Sequence, residues 1–579
     1  MKKSKSRNEL LKTHPWIKEY VGVRHSLEIP EGSIYEMVRT ASVKYPTNIA
    51  YTYFNNNINY SRLNEQIINC AKALKNIGVE KKDVIAVCTP NIPQALLVLY
   101  GANMIGAVVD MIHPLSSENE ITNYFNESKC KVVLTIDLLF EKVKASTENT
   151  SVKKILTTSV SDSMDMITGL GYWVTSGRKN KKINLTETVI PWAKFMSAGM
   201  SYFGDLTTEV LADDLAVIMH SGGTTGTPKG ILLTNKSINA LALGAAELFG
   251  CMNDSLSILA ILPFFHGFGL ACCVHTMLIN GVKVIIVPKF EAKKFDQLLS
   301  KYKPSLLIAV PTLLEAMINN KKIKKMDLSF MQCVVCGGDT VNPIFREKVN
   351  NFLCERGSSA VVRPGYGMTE CVAAATITPI HKYKDGTIGI PMPNVRIKIV
   401  KLNTHTEADT LEEGEICISG PTIMQGYLNN PKETASTLQV HEDGITWLHS
   451  GDIGYMDADG FIFFAQRLKR MIVSGGFNIY PSQIEEVIES HKDVLSCTVI
   501  GIDHPYKVQV AKAFIVLKEG IKQSNTIKNE IKDLCEKNIA KYSLPYEYEF
   551  RDSLPVTLVG KVAYKQLEEE EKNLKNKKD

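Results

Sequence analysis

The sequence predicts an α/β protein: a large N-terminal domain of layered α/β subdomains plus a β-rich subdomain, and then a small α+β C-terminal domain. Three observations carry this prediction. Short Val- and Ile-rich runs, Asp83–Cys88, Leu215–Met219, Val282–Val287 and Leu306–Val310, alternate with helix-like segments such as Ser237–Phe249 and Thr312–Ile318. Strands buried on both faces and alternating with helices form parallel sheets. After Leu411, residues Gly414, Gly420, Gly426, Gly451, Gly454 and Gly460 punctuate short runs, as turns between antiparallel strands would. Past Arg467 a compact pattern begins, with Pro481–Ser490 and Asn525–Asn538 helical and Leu495–Ile502 and Ala511–Leu517 extended, so a boundary is expected near Gln466–Arg470.

Length and composition set the outer limits. A chain of 579 residues exceeds one ordinary core, so at least two domains are expected. Its formal charge of +5 shows no bias toward nucleic acid. The thirteen cysteines lack a framework-like spacing, and Cys272 and Cys273 are adjacent, which suits reduced thiols and a cytoplasmic location. Met1–Leu11 is basic but is followed by Lys12, Thr13 and His14, so it is a solvated lead-in and not a secretory signal. The apolar stretch Leu256–Leu278 contains Pro263, His266, Gly267, Gly269 and His275, which excludes a transmembrane reading. Thr147–Ser197 is polar, basic and weakly patterned, and is expected to be a surface elaboration; Glu568–Asp579 is expected to be a frayed, solvated helix end.

The strongest chemical signal is Ser221-Gly222-Gly223-Thr224-Thr225-Gly226-Thr227-Pro228-Lys229-Gly230, directly after the run Leu215–Met219. Glycines let the backbone approach phosphate oxygens, hydroxyls and amides donate to them, and the lysine neutralises charge. Pro228 before Lys229 and Gly230 after it rule out a Walker A loop. Four further segments stand out: Cys336-Gly337-Gly338-Asp339-Thr340, Tyr366-Gly367-Met368-Thr369-Glu370, Ser450-Gly451-Asp452-Ile453-Gly454 and Leu554–Lys561. Cys333 and Cys336 form a CxxC with no second pair at zinc spacing, and are expected in a buried strand.

From about Tyr35 to Lys565 these motifs, in this order, resemble the adenylate-forming superfamily, which includes acyl-CoA synthetases, luciferase and peptide-synthetase adenylation domains. The resemblance implies an adenylation domain over residues 35–466 after a lead-in of 1–34, a hinge at 467–470 centred on Lys469, and a mobile cap domain, 471–579, carrying the catalytic lysine. It implies that Ser221, Gly222, Gly223, Thr224, Thr225, Gly226 and Lys229 cradle the ATP phosphates, Thr225 also serving catalysis. Gly337, Gly338, Asp339, Tyr366 and Gly367 would lie along adenine, Thr369 would meet phosphate, and Glu370 would hold Mg2+. Asp452 and Arg467 would bind the ribose, and Lys561 would bridge the carboxylate and the α-phosphate. Ser474, Gly475 and Gly476 would enter the site for attack by the thiol.

Substrate class is implied by Pro263-Phe264-Phe265-His266-Gly267-Phe268-Gly269-Leu270, which resembles the acyl-pocket entrance of the family's acyl- and aryl-CoA ligases. His266 would stand near the reacting carboxylate, and Phe268 and Gly337 would line the tail pocket. The stretch has no acidic residue to pair with an ammonium, so an amino acid is disfavoured. The expected activity is ATP-dependent ligation of an apolar carboxylic acid, a fatty acid foremost, to coenzyme A through an acyl-adenylate. A separate acyl carrier protein is the alternative acceptor, and a non-catalytic nucleotide-binding protein is the second alternative. Gln466, Arg470, Val473 and Phe477 depart from the family's commonest residues at the hinge and thiol entrance.

Overall fold

The structure, a computed structural model, describes residues 14–165, 168, 169, 171, 183, 186–220, 229–250, 252–474, 477–504, 508–539, 543–556 and 562–576. The Val- and Ile-rich runs form strands as expected: Val84–Cys88, Leu215–His220, Lys283–Ile286 and Leu306–Ala309. They belong to two different sheets.

An eight-stranded sheet has Val84–Cys88, Val108–Met111, Val132–Ile136, Lys154–Thr158, Val189–Pro191 and Leu215–His220 parallel. Gly230–Thr234 and Gly426–Tyr427 add antiparallel strands at one edge. The larger sheet begins with parallel strands and turns antiparallel at Val362–Tyr366, which pairs in parallel with Cys333–Cys336 and antiparallel with Thr376–Ile377. The β-rich part is therefore continuous with an α/β layer. Tyr366 stands at the seam.

Helices pack between and against these sheets. Pro93–Met104 is buried along almost its whole length and Asn235–Phe249 on most of it. The latter starts at Thr234, whose hydroxyl accepts from the Ser237 amide, and stops at Gly250 with φ 66°, a left-handed cap that glycine adopts without strain. Leu256–Leu278 is broken into a strand at Ser257–Ala260, a turn, and a π-helix over Phe268–His275. No helix among the described residues is long and apolar enough to cross a membrane.

The small domain has its own sheet and core. Val494–His504 and Val508–Leu517 pair antiparallel over Ile484, Ile488, Val499, Ile515 and Ile531. The helices over Pro481–Glu489 and Asn525–Asn538 cover it.

Three expectations are corrected. Lys154–Thr158 and Val189–Pro191 are sheet strands, and the helix Trp192–Met200 buries Trp192 and Phe195, so these described parts of Thr147–Ser197 are framework. Its strands are too short to show a period in sequence. Gly454 lies inside the strand Thr446–Met456 and not in a turn; a Cβ there would meet the Phe463 carbonyl at 2.3 Å, so glycine serves close backbone approach. The C-terminal helix Tyr564–Asn576 is tied down by Leu567, which is fully buried, and by Glu571 to Lys512 at 2.8 Å and Glu570 to Arg551 at 2.6 Å.

The twelve described cysteines carry no disulfide. Cys333 and Cys336 lie in a buried strand as expected. Burial pushes the Cys336 thiol up to about 12, which keeps it protonated and a poor metal ligand.

Candidate functional site

The site is assembled at the seam of the larger sheet. Tyr366 ends its last parallel strand, and its hydroxyl donates to Asp452 Oδ2 at 2.7 Å. Asp452 lies on Thr446–Met456, cross-strand partner of Arg467 on Ile462–Arg467. Arg467 Nε stands 3.2 Å from Asp452 Oδ1. One buried carboxylate thus ties together two segments 86 residues apart and the start of the expected hinge. An ionised carboxylate accepts up to about four hydrogen bonds and donates none. Burial, and then the charge of Asp452, raises the Tyr366 phenol well above its ordinary range. It remains a donor.

Glu370 follows in the short helix Thr369–Cys371, and its Oε1 accepts from the Tyr427 hydroxyl at 2.8 Å. Burial raises its carboxyl above the usual carboxylate range, and the Tyr427 hydrogen bond opposes that shift. The Tyr427 strand pairs with Gly230–Thr234, which brings Lys229 to within 4.9 Å of the Tyr427 ring centroid and into an ion pair with Glu433. The Glu370 carbonyl also accepts from the Met424 amide at 2.8 Å. Lys229 and Glu370 are therefore held on two sides of one tyrosine.

The aromatic segment is braced from below. Buried Asn91 accepts from the Phe264 amide at 2.9 Å and donates to the Leu262 carbonyl at 2.9 Å. Gly267 packs against the backbone of Val372, where a Cβ would lie 1.7 Å from the carbonyl oxygen. Val372 itself has φ 69°, a strained geometry for a β-branched residue and one that collects at functional sites. A Cβ on Gly337 would meet the Gly365 carbonyl at 2.9 Å and the edge of the Phe268 ring at 3.6 Å. Phe268, Gly337 and the strand leading to Tyr366 therefore form one wall, with half-buried His266 at the turn before it.

Other expected residues are placed more loosely. Gly338 and Asp339 are exposed, and Asp339 accepts from the Thr340 amide at 2.8 Å. Gly367 and Thr369 flank the bend between Tyr366 and Glu370. Lys469 lies in the turn Leu468–Arg470, and Ser474 is paired with Val508 in the small domain's own sheet. Ser221, Gly222, Gly223, Thr224, Thr225, Gly226, Gly475, Gly476 and Lys561 lie outside the described residues.

Several residues of the site were not found in the sequence. Tyr427, Glu433 and Asn91 belong to none of the motifs, and only long-range contact reveals them. Arg470, which departs from the family pattern, pairs with Glu485 and lies 3.9 Å from the Tyr564 ring centroid, fastening the turn Leu468–Arg470 to the small domain.

Comparison with known proteins identifies the family. A family model for AMP-binding enzymes matches residues 38–428, and one for the AMP-binding enzyme C-terminal domain matches 483–561. The long-chain-fatty-acid–CoA ligase of Bacillus subtilis (strain 168) is 31% identical over 564 residues, covering 96% of this chain and 98% of that protein. The ligase of the same description from Salmonella typhimurium is 29% identical, covering 93% and 94%. Among solved structures, ATP-bound MatB from Rhodopseudomonas palustris superposes with a TM-score of 0.80 at 21% identity, over 94% of this chain and 100% of that one. The anthranilate CoA ligase AuaEII in complex with anthranoyl-AMP gives 0.79 at 20% identity, over 94% and 98%. With both family models and near full-length relatives in agreement, the chain belongs to the AMP-binding enzymes of the adenylate-forming superfamily, as an AMP-forming acid:thiol ligase of the acyl-CoA synthetase type.

Proposed function

We propose that this synthetase activates a long-chain fatty acid with ATP and transfers the acyl group to coenzyme A. The observation that carries the substrate class is the wall formed by Phe268 and Gly337, continuous with the strand that ends at Tyr366. It sets an apolar surface beside the polar residues Tyr366 and Asp452. The names of the 27–31% identical relatives point the same way.

In this reading Asp452 accepts from the ribose hydroxyls while Tyr366 and Arg467 hold its carboxylate still. Thr224, Thr225 and Lys229 bind the phosphates, and Lys561 stands between the α-phosphate and the acid. A carboxylate oxygen of the acid bonds to the α-phosphorus as the bond to pyrophosphate breaks. The thiol of coenzyme A then loses its proton, its sulfur bonds to the acyl carbon, and the bond from that carbon to the phosphate oxygen breaks to release AMP. Activation is required because a free carboxylate has no adequate leaving group, whereas AMP is a stable one.

Glu370 would hold Mg2+, which when bound neutralises charge on the departing pyrophosphate. Its chemistry fits: it offers a hard oxygen donor, steered by Tyr427. The carboxyl must be ionised for this role, so adenylation falls as pH drops through its raised pKa. Tyr427→Phe removes a donor to the ionised form and raises that pKa further. The acid limb of the pyrophosphate-release profile should move to higher pH by about half to one unit. An unmoved limb would separate Tyr427 from the metal-holding role of Glu370.

The assignment is tested by a pyrophosphate-release screen over fatty, aryl and polycyclic acids, with and without coenzyme A. Release with long-chain acids, and thioester formation only when coenzyme A is added, are expected. Preference for an aryl acid overturns the substrate class. Adenylate formation with transfer only to an acyl carrier protein overturns the acceptor.

A further inference from the structure

A second polar cluster lies in the β-rich part, apart from the residues assigned to catalysis. Three imidazoles converge there from three segments: His405 before the strand Gly414–Ser419, His441 after Leu438–Val440, and His449 on Thr446–Met456. Their potential ligand atoms all lie within 4.8 Å of one another. His441 Nε2 and His449 Nε2 are 2.9 Å apart, and the His405 and His441 rings are stacked with centroids 4.2 Å apart. Nitrogens sharing one zinc-class ion at about 2.0–2.1 Å stand roughly 3 Å apart. The His441–His449 pair already has this spacing, and rotation of the exposed, stacked His405 ring would turn a third nitrogen toward it.

The outer rings are already oriented. His449 Nδ1 donates to Glu415 Oε2 at 2.7 Å, which leaves its Nε2 as a lone pair facing His441. His405 Nε2 donates to Gln439 Oε1 at 2.9 Å, and the Gln439 amide is fixed in turn by its bond to the Ser436 carbonyl at 2.8 Å, leaving His405 Nδ1 as the lone pair. A carboxylate or carboxamide behind an imidazole is the arrangement that orients metal-binding histidines. His441 is buried, and its Nδ1 has no hydrogen-bond partner among the described residues.

Charge permits a cation here. The cation beside His441 is Lys398. Lys398 is itself paired with Asp443 at 3.2 Å, and Glu415 supplies a compensating negative charge. The neighbouring combination of Glu415, Cys417 and His449 is less suited. His449 Nδ1 is taken by Glu415, and burial keeps the Cys417 thiol protonated. In the third group, His491 already engages Glu530 through Nε2 and the Asp493 amide through Nδ1.

We propose that His405, His441 and His449 form a binding site for a borderline divalent ion of the zinc, copper or nickel class, distinct from the Mg2+ role assigned to Glu370. Imidazoles select such ions over Mg2+, which prefers oxygen. The exposed His405 gives the ion a route in from solvent. The site also reaches the nucleotide end of the sheet, since Glu415 Oε1 accepts from the Gly451 amide at 2.8 Å, one residue before Asp452.

Calorimetric titration of the untagged, chelator-treated full chain with ZnCl2 should give roughly one equivalent of tight binding. Co2+ should give the visible absorption of a low-coordinate nitrogen site, and excess Mg2+ should compete with neither. His405→Ala, on the exposed ligand and therefore the safer variant for folding, and His441→Gln should each weaken binding by about tenfold or more. His491→Gln should leave it unchanged. Equal affinity in His405→Ala and the parent, or no binding to the parent, overturns the proposal. Because the ion alone is the probe, such a failure leaves the ligase assignment standing.

Discussion

Lys561→Ala is expected to abolish acid-dependent pyrophosphate release, with a loss of about a hundred- to a thousandfold, while thiolysis of supplied acyl-adenylate persists. The physical reason is the location of charge. When the acid attacks the α-phosphorus, negative charge concentrates on the attacking and phosphoryl oxygens, and one positioned cation acting there contributes roughly 3–4 kcal/mol. In the second half-reaction the sulfur attacks a carbonyl and AMP leaves as a stable anion, so that step does not need the same amine. Separate assays of acid-dependent pyrophosphate release and of thioester formation from synthetic adenylate measure the two directly. Equal loss in both would show that Lys561 serves binding or folding in general.

Much of the fold is legible because the relevant physics is local. Val84–Cys88 and Leu215–His220 show as apolar runs since strands buried on both faces need no alternation. The small domain's helix Asn525–Asn538 shows its full extent through a Ser524 cap and an amphipathic period. What escapes is what depends on distant pairing. Lys154–Thr158 becomes a strand by pairing with Val132–Ile136 and Val189–Pro191, and its own five residues carry too little pattern to show it. The same division runs through the site. The segments bearing Tyr366, Asp452 and Arg467 are each visible as motifs, but not the hydrogen bonds that join them. Tyr427 and Glu433 sit in no motif because their part is to hold Glu370 and Lys229, contacts that span 57 and 204 residues of chain. Gly454 shows a subtler limit: glycine marks either a turn or a close approach, and only the Phe463 carbonyl at 2.3 Å from its missing Cβ decides which.

Asp452→Ala is expected to raise the Kd for ATP by about ten- to a hundredfold, an effect of roughly 1–3 kcal/mol, with a smaller effect on turnover at saturating ATP. Two losses add. The proposed acceptor for the ribose disappears, and the Tyr366 hydroxyl and Arg467 guanidinium lose the carboxylate that fixes them. Tyr366 is the more costly of the two, because its part-buried phenol reaches water less freely than the half-exposed Arg467, which can turn to solvent. Tyr366→Phe separates the contributions: it removes the internal hydrogen bond, keeps the ring beside the expected adenine position, and leaves the carboxylate in place. If Asp452 acts mainly on ribose, Tyr366→Phe should weaken ATP binding far less than Asp452→Ala in titration calorimetry. If the two variants weaken it equally, the carboxylate works by holding Tyr366, and the ribose assignment fails even though the residue matters.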